Sequence, residues 1–174
     1  MLKKIFDKIV KLIYNGFECG DYSRKTVFVM IIFQKILRVN SETPWPVHWS
    51  SRVDAPDKIQ RGTEAPGYMH GCYIDGRNGI ILGNNVIIGS NVNIISQNHD
   101  MTEFDRYIEE KPIVIGANSW LGSGCTILAG VELGEHTIVG AGAVVTKSFP
   151  DSDQIIAGNP ARVIKKIEQY KTTT

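Results

Sequence analysis

His99 is the side chain in this sequence best suited to moving a proton. It stands in Gln97-Asn98-His99-Asp100, where a regular pattern stops for 13 residues, Asp100 to Pro112. Imidazole titrates near neutrality, so it can take a proton from a hydroxyl and later return it to a leaving group. Asp100 and Asp75 are carboxylates available to its second ring nitrogen. A carboxylate there fixes the tautomer and stabilises the cation that forms; a backbone carbonyl is the third choice. Neighbouring β residues point to opposite faces, so adjacency alone does not choose among them.

The remaining reactive groups are scattered. No two histidines are closer than His48 and His70, 22 residues apart, and His136 falls at a corner where solvent is expected. That spacing lacks a ligand pair for zinc, so no metal is predicted. Three cysteines without a C-x-x-C make neither a disulfide framework nor a zinc ribbon, and point to a reducing, cytoplasmic setting. Cys125 takes a small inward position and reads as core.

A pattern with a period of six must position His99. Leu82, Ile88 and Ile94, then Ile115, Leu121, Ile127, Leu133, Val139 and Val145, follow at six-residue intervals on each side of the break. Gly comes next at 83, 89, 116, 122, 134 and 140. Three residues after the aliphatic stand Asn85, Asn91, Asn118, Gly124, Gly130 and Gly142, types that tolerate the left-handed backbone of a tight corner. Each hexad is a short strand and a corner with one aliphatic pointing inward. Such units bury their apolar face only by stacking, so the fold class is an all-β solenoid. Val47, Val53 and Ile59 extend the spacing upstream. The β-helix domain spans 45–150, with about five coils rising ~4.8 Å each and an extruded loop at about 100–112. Residues 151–174 read as a tail and helix.

The 174 residues carry 19 Lys+Arg and 18 Asp+Glu, a net charge of +1 that does not suit a dedicated nucleic-acid binder. The charge is divided. Residues 1–44 hold 8 basic and 4 acidic residues, a net of +4; residues 45–174 hold 11 and 14, a net of −3. In the amino-terminal helical segment 1–44, Leu2, Ile5, Phe6, Ile9, Val10 and Ile13 recur at helical spacing among Lys3, Lys4, Lys8 and Lys11. A second apolar run, Val27 to Phe33, continues through Ile36 and Leu37. Both are shorter than the ~18–20 apolar residues of a membrane span. The helices are expected to cover one end of the solenoid or to pack in an oligomer. The second reading is weak attachment of residues 1–15 to the inner membrane face. Pro44, Trp45, Pro46, His48, Trp49, Tyr68 and Tyr73 supply aromatic surface suited to sugar rings or to an irregular first coil.

The hexads, "IGANSWLGSGCTILAGVELGEHTIVGAGAVVTKSFP", "IIAGNPARVIKKI" and the "NHD" ahead of the loop resemble the hexapeptide-repeat acyltransferases over about residues 45–168. Within them the sequence looks most like the maltose, galactoside and nodulation-type O-acetyltransferases and their polysaccharide-modifying relatives. Hexads alone also occur in γ-class carbonic anhydrases; "VTKSFP" with "AGNPAR" is more specific. The resemblance implies a left-handed parallel β-helix and a homotrimer, with acetyl coenzyme A along the groove between neighbouring helices. It implies His99 as general base. It implies Ser123, Gly124, Ala141, Gly142 and Thr146 against the pantetheine arm, and Lys147 and Arg162 near the phosphates with Lys165 and Lys166; Trp120 reads equally as a groove wall or as interface packing. Backbone N–H groups near Ser123 and Gly124 are the expected oxyanion donors. The implied reaction is O-acetyl transfer to a hydroxyl of a sugar or glycan precursor. The competing readings are another acceptor (serine, an amine or an antibiotic) and a non-catalytic scaffold. A scaffold needs neither the loop nor the lone histidine beside it.

Overall fold

The computed structural model describes residues 2–171; Met1 and residues 172–174, at the ends of the expected 1–44 and 151–174 segments, lie outside the described residues. Two helices, α1 (Leu2–Ile13) and α2 (Arg24–Ile31), precede the strands, and α2 runs on into a π-turn over Ile32–Ile36. β1 (Arg52–Asp54) and β2 (Ile59–Gln60) open the first coil. β3 (Tyr73–Asp75), β4 (Ile80–Leu82) and β5 (Ile87–Ile88) form the second. β6 (Asn93–Ile95) begins the third, which a hairpin of β7 (Asn98–His99) and β8 (Tyr107–Ile108) interrupts. β9 (Ile113–Ile115) and β10 (Trp120–Leu121) complete it. β11 (Thr126–Ile127), β12 (Glu132–Leu133) and β13 (Thr137–Val139) make the fourth. The fifth contains β14 (Val144–Val145), a bridge from Phe149 to Leu133, and β15 (Gln154–Gly158), after which β16 (Ala161–Lys166) turns back.

The strands stack into three parallel faces. The first is β1-β3-β6-β11-β14, the second β2-β4-β9-β12, and the third β5-β10-β13-β15, with β16 antiparallel on its outer edge. Register places the hexad aliphatics in columns. Val53, Ile74, Ile94, Ile127 and Val145 line the first face, and Ile88, Leu121, Val139 and Ile156 the third. Eight of the nine expected inward aliphatics are 4% exposed or less; Ile88 is half-buried. All six expected Asn and Gly corners have positive φ, between 56° and 71°. The glycine after each aliphatic has a different cause. A Cβ on Gly134 would lie 2.3 Å from the Asp151 carbonyl oxygen of the next coil, so only hydrogen fits.

The helices cover the amino end of the solenoid. Val10, Tyr14, Phe17 and Val27 join the same apolar core as Trp45, Val47 and Val53. Their polar keystone is Gln34, wholly buried. Its Oε1 accepts from the Tyr14 hydroxyl at 2.7 Å and the Val47 N–H at 3.0 Å, and its Nε2 donates to the carbonyls of Trp45 and Asn40.

Three expectations are corrected. Residues 154–166 form a β-hairpin rather than a helix, because the outer edge of the third face offers unpaired backbone groups that β16 satisfies. The repeat leaves the coil at Asn98, before Asp100, so Asn98 is exposed although its hexad position is inward. Val47 is buried but belongs to the end cover and to no strand.

Candidate active site

His99 sits on β7 at the corner between the first and second faces, where the third coil opens into the hairpin. β7 pairs antiparallel with β8, placing His99 opposite Tyr107. Its ring is exposed and lies 4.7 Å from the Tyr107 ring, centroid to centroid. Nδ1 is 2.5 Å from the Phe104 carbonyl oxygen. A carbonyl only accepts, so Nδ1 carries the proton, and in the neutral ring the lone pair is on Nε2. That is the tautomer a general base requires.

Neither carboxylate orients the ring. Asp100 is spent on the loop: its Oδ1 accepts from the Thr102 N–H at 2.8 Å, the Thr102 hydroxyl at 2.6 Å and the Glu103 N–H at 3.3 Å. The Thr102 hydroxyl bond, chief among these, holds the Asp100 carboxyl below the ordinary carboxylate range. Asp75 is fully buried and takes both ends of the Arg77 guanidinium, at 2.9 and 2.8 Å. Asp75 acts on the site at one remove. Arg77 lies 5.6 Å over the Tyr107 ring that abuts His99, and Asn78 donates to the Ile108 carbonyl at 2.9 Å. The second coil thereby anchors the hairpin that carries the histidine.

The residues expected to hold the donor fall into two groups. Ser123, Gly124, Ala141 and Gly142 are exposed at the corner between the third and first faces. They form one column, with the Gly142 N–H donating to Ser123 and the Gly124 N–H to Ser90, at 3.0 and 2.9 Å. Nothing lies within 4 Å of a Cβ built on Gly142, so this edge is open. Arg162, on β16, is near the carboxyl end of the same edge, its guanidinium on the Ala161 carbonyl at 3.0 Å. Thr146 and Lys147 lie instead on the His99 edge, two coils further along, with the Lys147 ammonium 5.6 Å over Phe149. Lys166 pairs with Asp151 at 2.8 Å. Trp120 is 52% exposed on the third face, beside Ile87 and Ile138. The Gly124 N–H is committed to the coil and is not available to an oxyanion.

Two findings were not foreseen. His48 and His70 stand on the same edge as the Ser123 column, toward its amino end, with ring centroids 6.1 Å apart. Burial and then His70 depress the His48 pKa. The Ser50 N–H donates to His48 Nδ1 at 3.2 Å, and the Asn91 N–H donates to the His70 carbonyl, which joins the pair to the column. His136 is not solvated: its Nδ1 meets Asp153 at 2.8 Å and the side chain is 16% exposed. Among the described residues no group of three or more His, Cys, Asp or Glu converges on one point. Trp45 and Tyr73 are structural, bonded to the Pro66 carbonyl and to Asp54. An open concavity lined by Phe17, Tyr22, Arg61 and Glu64 opens at the amino end and away from the His99 corner.

Residues 112–147 match the family described as bacterial transferase hexapeptide (six repeats). The chain is 38% identical over 91 residues to the galactoside O-acetyltransferase of Escherichia coli, covering 51% of this chain and 44% of the relative. It is 37% identical over 98 residues to that of Lactococcus lactis, covering 53% and 47%. These matches span a little under half of each relative's length. Among solved structures, a maltose O-acetyltransferase from Clostridium difficile 630 superposes with a TM-score of 0.52 at 27% identity, over 95% of this chain and 86% of that one. The parallel coil is consistent with the left-handed β-helix that the resemblance implied, and residues 112–147 carry hexapeptide repeats like those of bacterial transferases.

Proposed function

We propose that this chain transfers an acetyl group from acetyl coenzyme A to a hydroxyl of a sugar or glycan precursor, with His99 as general base. The observation that carries the reading is the His99 ring, exposed beside an extruded loop and held through Nδ1 by the Phe104 carbonyl, the tautomer that leaves Nε2 to act as base in the neutral ring. The likeness to galactoside and maltose O-acetyltransferases supports acetyl transfer and a sugar-class acceptor. Nε2 removes the hydroxyl proton as the oxygen attacks the thioester carbonyl. The Ser123 N–H meets the oxyanion. The coenzyme A thiolate then leaves and recovers the proton from the imidazolium, so no net proton is consumed at His99.

The donor column and His99 occupy opposite edges of the first face in one chain. A homotrimer of parallel prisms sets the His99 edge of one copy against the column of the next. The groove between copies then takes the pantetheine arm, and Lys147 and Arg162 meet the phosphates. The test is thiol release from acetyl coenzyme A with a panel of hydroxyl and amine acceptors. His99→Ala should cut turnover about 10²–10⁴-fold, with coenzyme A affinity changed less than about threefold. Full turnover in His99→Ala ends the reading. A sedimentation mass of one 19.3 kDa chain under assay conditions ends the trimer.

A further inference from the structure

α1 is divided lengthwise into three strips. Phe6, Val10 and Ile13 turn toward the core, with Val10 wholly buried. Leu2, Ile5, Ile9 and Leu12 form a second strip that is 82, 47, 49 and 85% exposed. At about 100° per residue, Lys4, Lys8 and Lys11 fall along the far side of that strip. The aliphatic strip is thus bounded by the core on one side and by a lysine row on the other. An ordinary surface helix presents polar residues outward; here four aliphatics take that place.

The charges around the strip have one sign. Asp7, the only acid in α1, is held by Arg24 at 2.8 and 2.9 Å. Lys11 pairs with Glu18 at 2.7 Å, whereas Lys4 and Lys8 enter no ion pair among the described residues. No helix among the described residues is long and apolar enough to cross a membrane. We propose that α1 docks the protein onto an anionic phospholipid bilayer, lying in the plane of the surface. Leu2, Ile5, Ile9 and Leu12 enter the boundary between headgroups and acyl chains, and Lys4, Lys8 and Lys11 meet the lipid phosphates. Symmetric pairing with α1 of a second copy fits less well, because it sets two lysine rows side by side. The proposal stands apart from the acetyl-transfer reading, since α1 holds none of its residues.

The test is flotation of the full chain with vesicles of phosphatidylcholine alone and of phosphatidylcholine mixed with phosphatidylglycerol. Binding to the mixed vesicles should be at least about tenfold tighter and should weaken as salt rises. Lys4→Glu with Lys8→Glu should lower it by roughly fivefold or more per site. Ile9→Asp with Leu12→Asp should abolish it. All four positions are exposed, so circular dichroism and the thermal transition should match the wild type. Equal binding to both kinds of vesicle, or to neither, overturns the proposal. So does a change in sedimentation mass in Ile9→Asp with Leu12→Asp while flotation is unchanged, which would make the strip a contact between copies. Acetyl transfer in vesicle-free buffer should be unaltered in every α1 variant, separating this result from a failure of the His99 chemistry.

Discussion

The carboxyl-half coils and the amino end share one core but are held together differently. Between Ile113 and Val145 the coils keep an 18-residue step, as in Leu121 over Val139 and Ile127 over Val145. Each coil there contributes the same parts: an inward aliphatic, a small second residue and a left-handed corner. Upstream the step stretches to 21 between Val53 and Ile74 and to 20 between Ile74 and Ile94. The end is then closed by helices and by the single amide of Gln34. The repeating half is cohesive through many equivalent apolar contacts, whereas the amino end depends on a few polar contacts that nothing duplicates. Solenoid stability is approximately a sum of unit and neighbour terms, so the two regions should fail separately.

Two substitutions and one labelling experiment break or sharpen that contrast. Leu121→Ala empties a fully buried place in the middle of the third-face column, between Ile88 and Val139. It should cost about 3–5 kcal/mol and lower the urea midpoint of the whole solenoid. A change confined to one coil would show the coils to be independent. Gln34→Leu leaves the Tyr14 hydroxyl, the Val47 N–H and two carbonyls without their partner. It should cost about 2–3 kcal/mol, and hydrogen exchange should rise over 10–50 while 113–158 stays protected. Uniform exchange along the chain would mean that the end and the coils unfold as one.

The smallest effect concerns Cys125. Burial pushes its thiol up to about 12. The folded value lies above the unfolded one of about 8.5, so the contribution to stability is complete below that pH and is lost as pH rises toward the folded value. At pH 8 Cys125 should resist iodoacetamide until urea opens the coils, with no change in stability at neutral pH. Rapid labelling of the folded protein would show that the repeating half breathes more than its packing implies.

The sequence made these two regions unequally legible. A period of six marks Ile94, Ile115 or Leu133 as core because every coil repeats the same steric demand, and the Asn85 and Asn118 corners follow from backbone sterics alone. Gln34 carries no such signal. Its partners come from residues 14, 40, 45 and 47, and nothing periodic links them. His48 and His70 meet because the early coils are longer than 18 residues, which a fixed period cannot register. At the candidate site, the exposure of His99 beside an extruded loop was legible from its place at the break in the repeat. Its orienting group was open, because the Phe104 backbone carbonyl has no residue identity to recognise. β16 was misread because helix and edge strand both accept Ala161-Arg162-Val163-Ile164, and the open edge of β15 decides between them.

The hairpin that carries His99 enters and leaves the third coil without disturbing the stacking around it. Ile80 over Ile113, Ile88 over Leu121 and Ile94 over Ile127 are all separated by 33 residues, and each pair keeps the parallel register of its sheet. The scaffold therefore does not measure how much chain lies between β6 and β9. Closing a longer loop costs only about 0.6 kcal/mol for each doubling of its length, little beside one buried aliphatic. The segment beside His99 is free to change length and composition over evolutionary time, while the coils that hold the histidine remain the same.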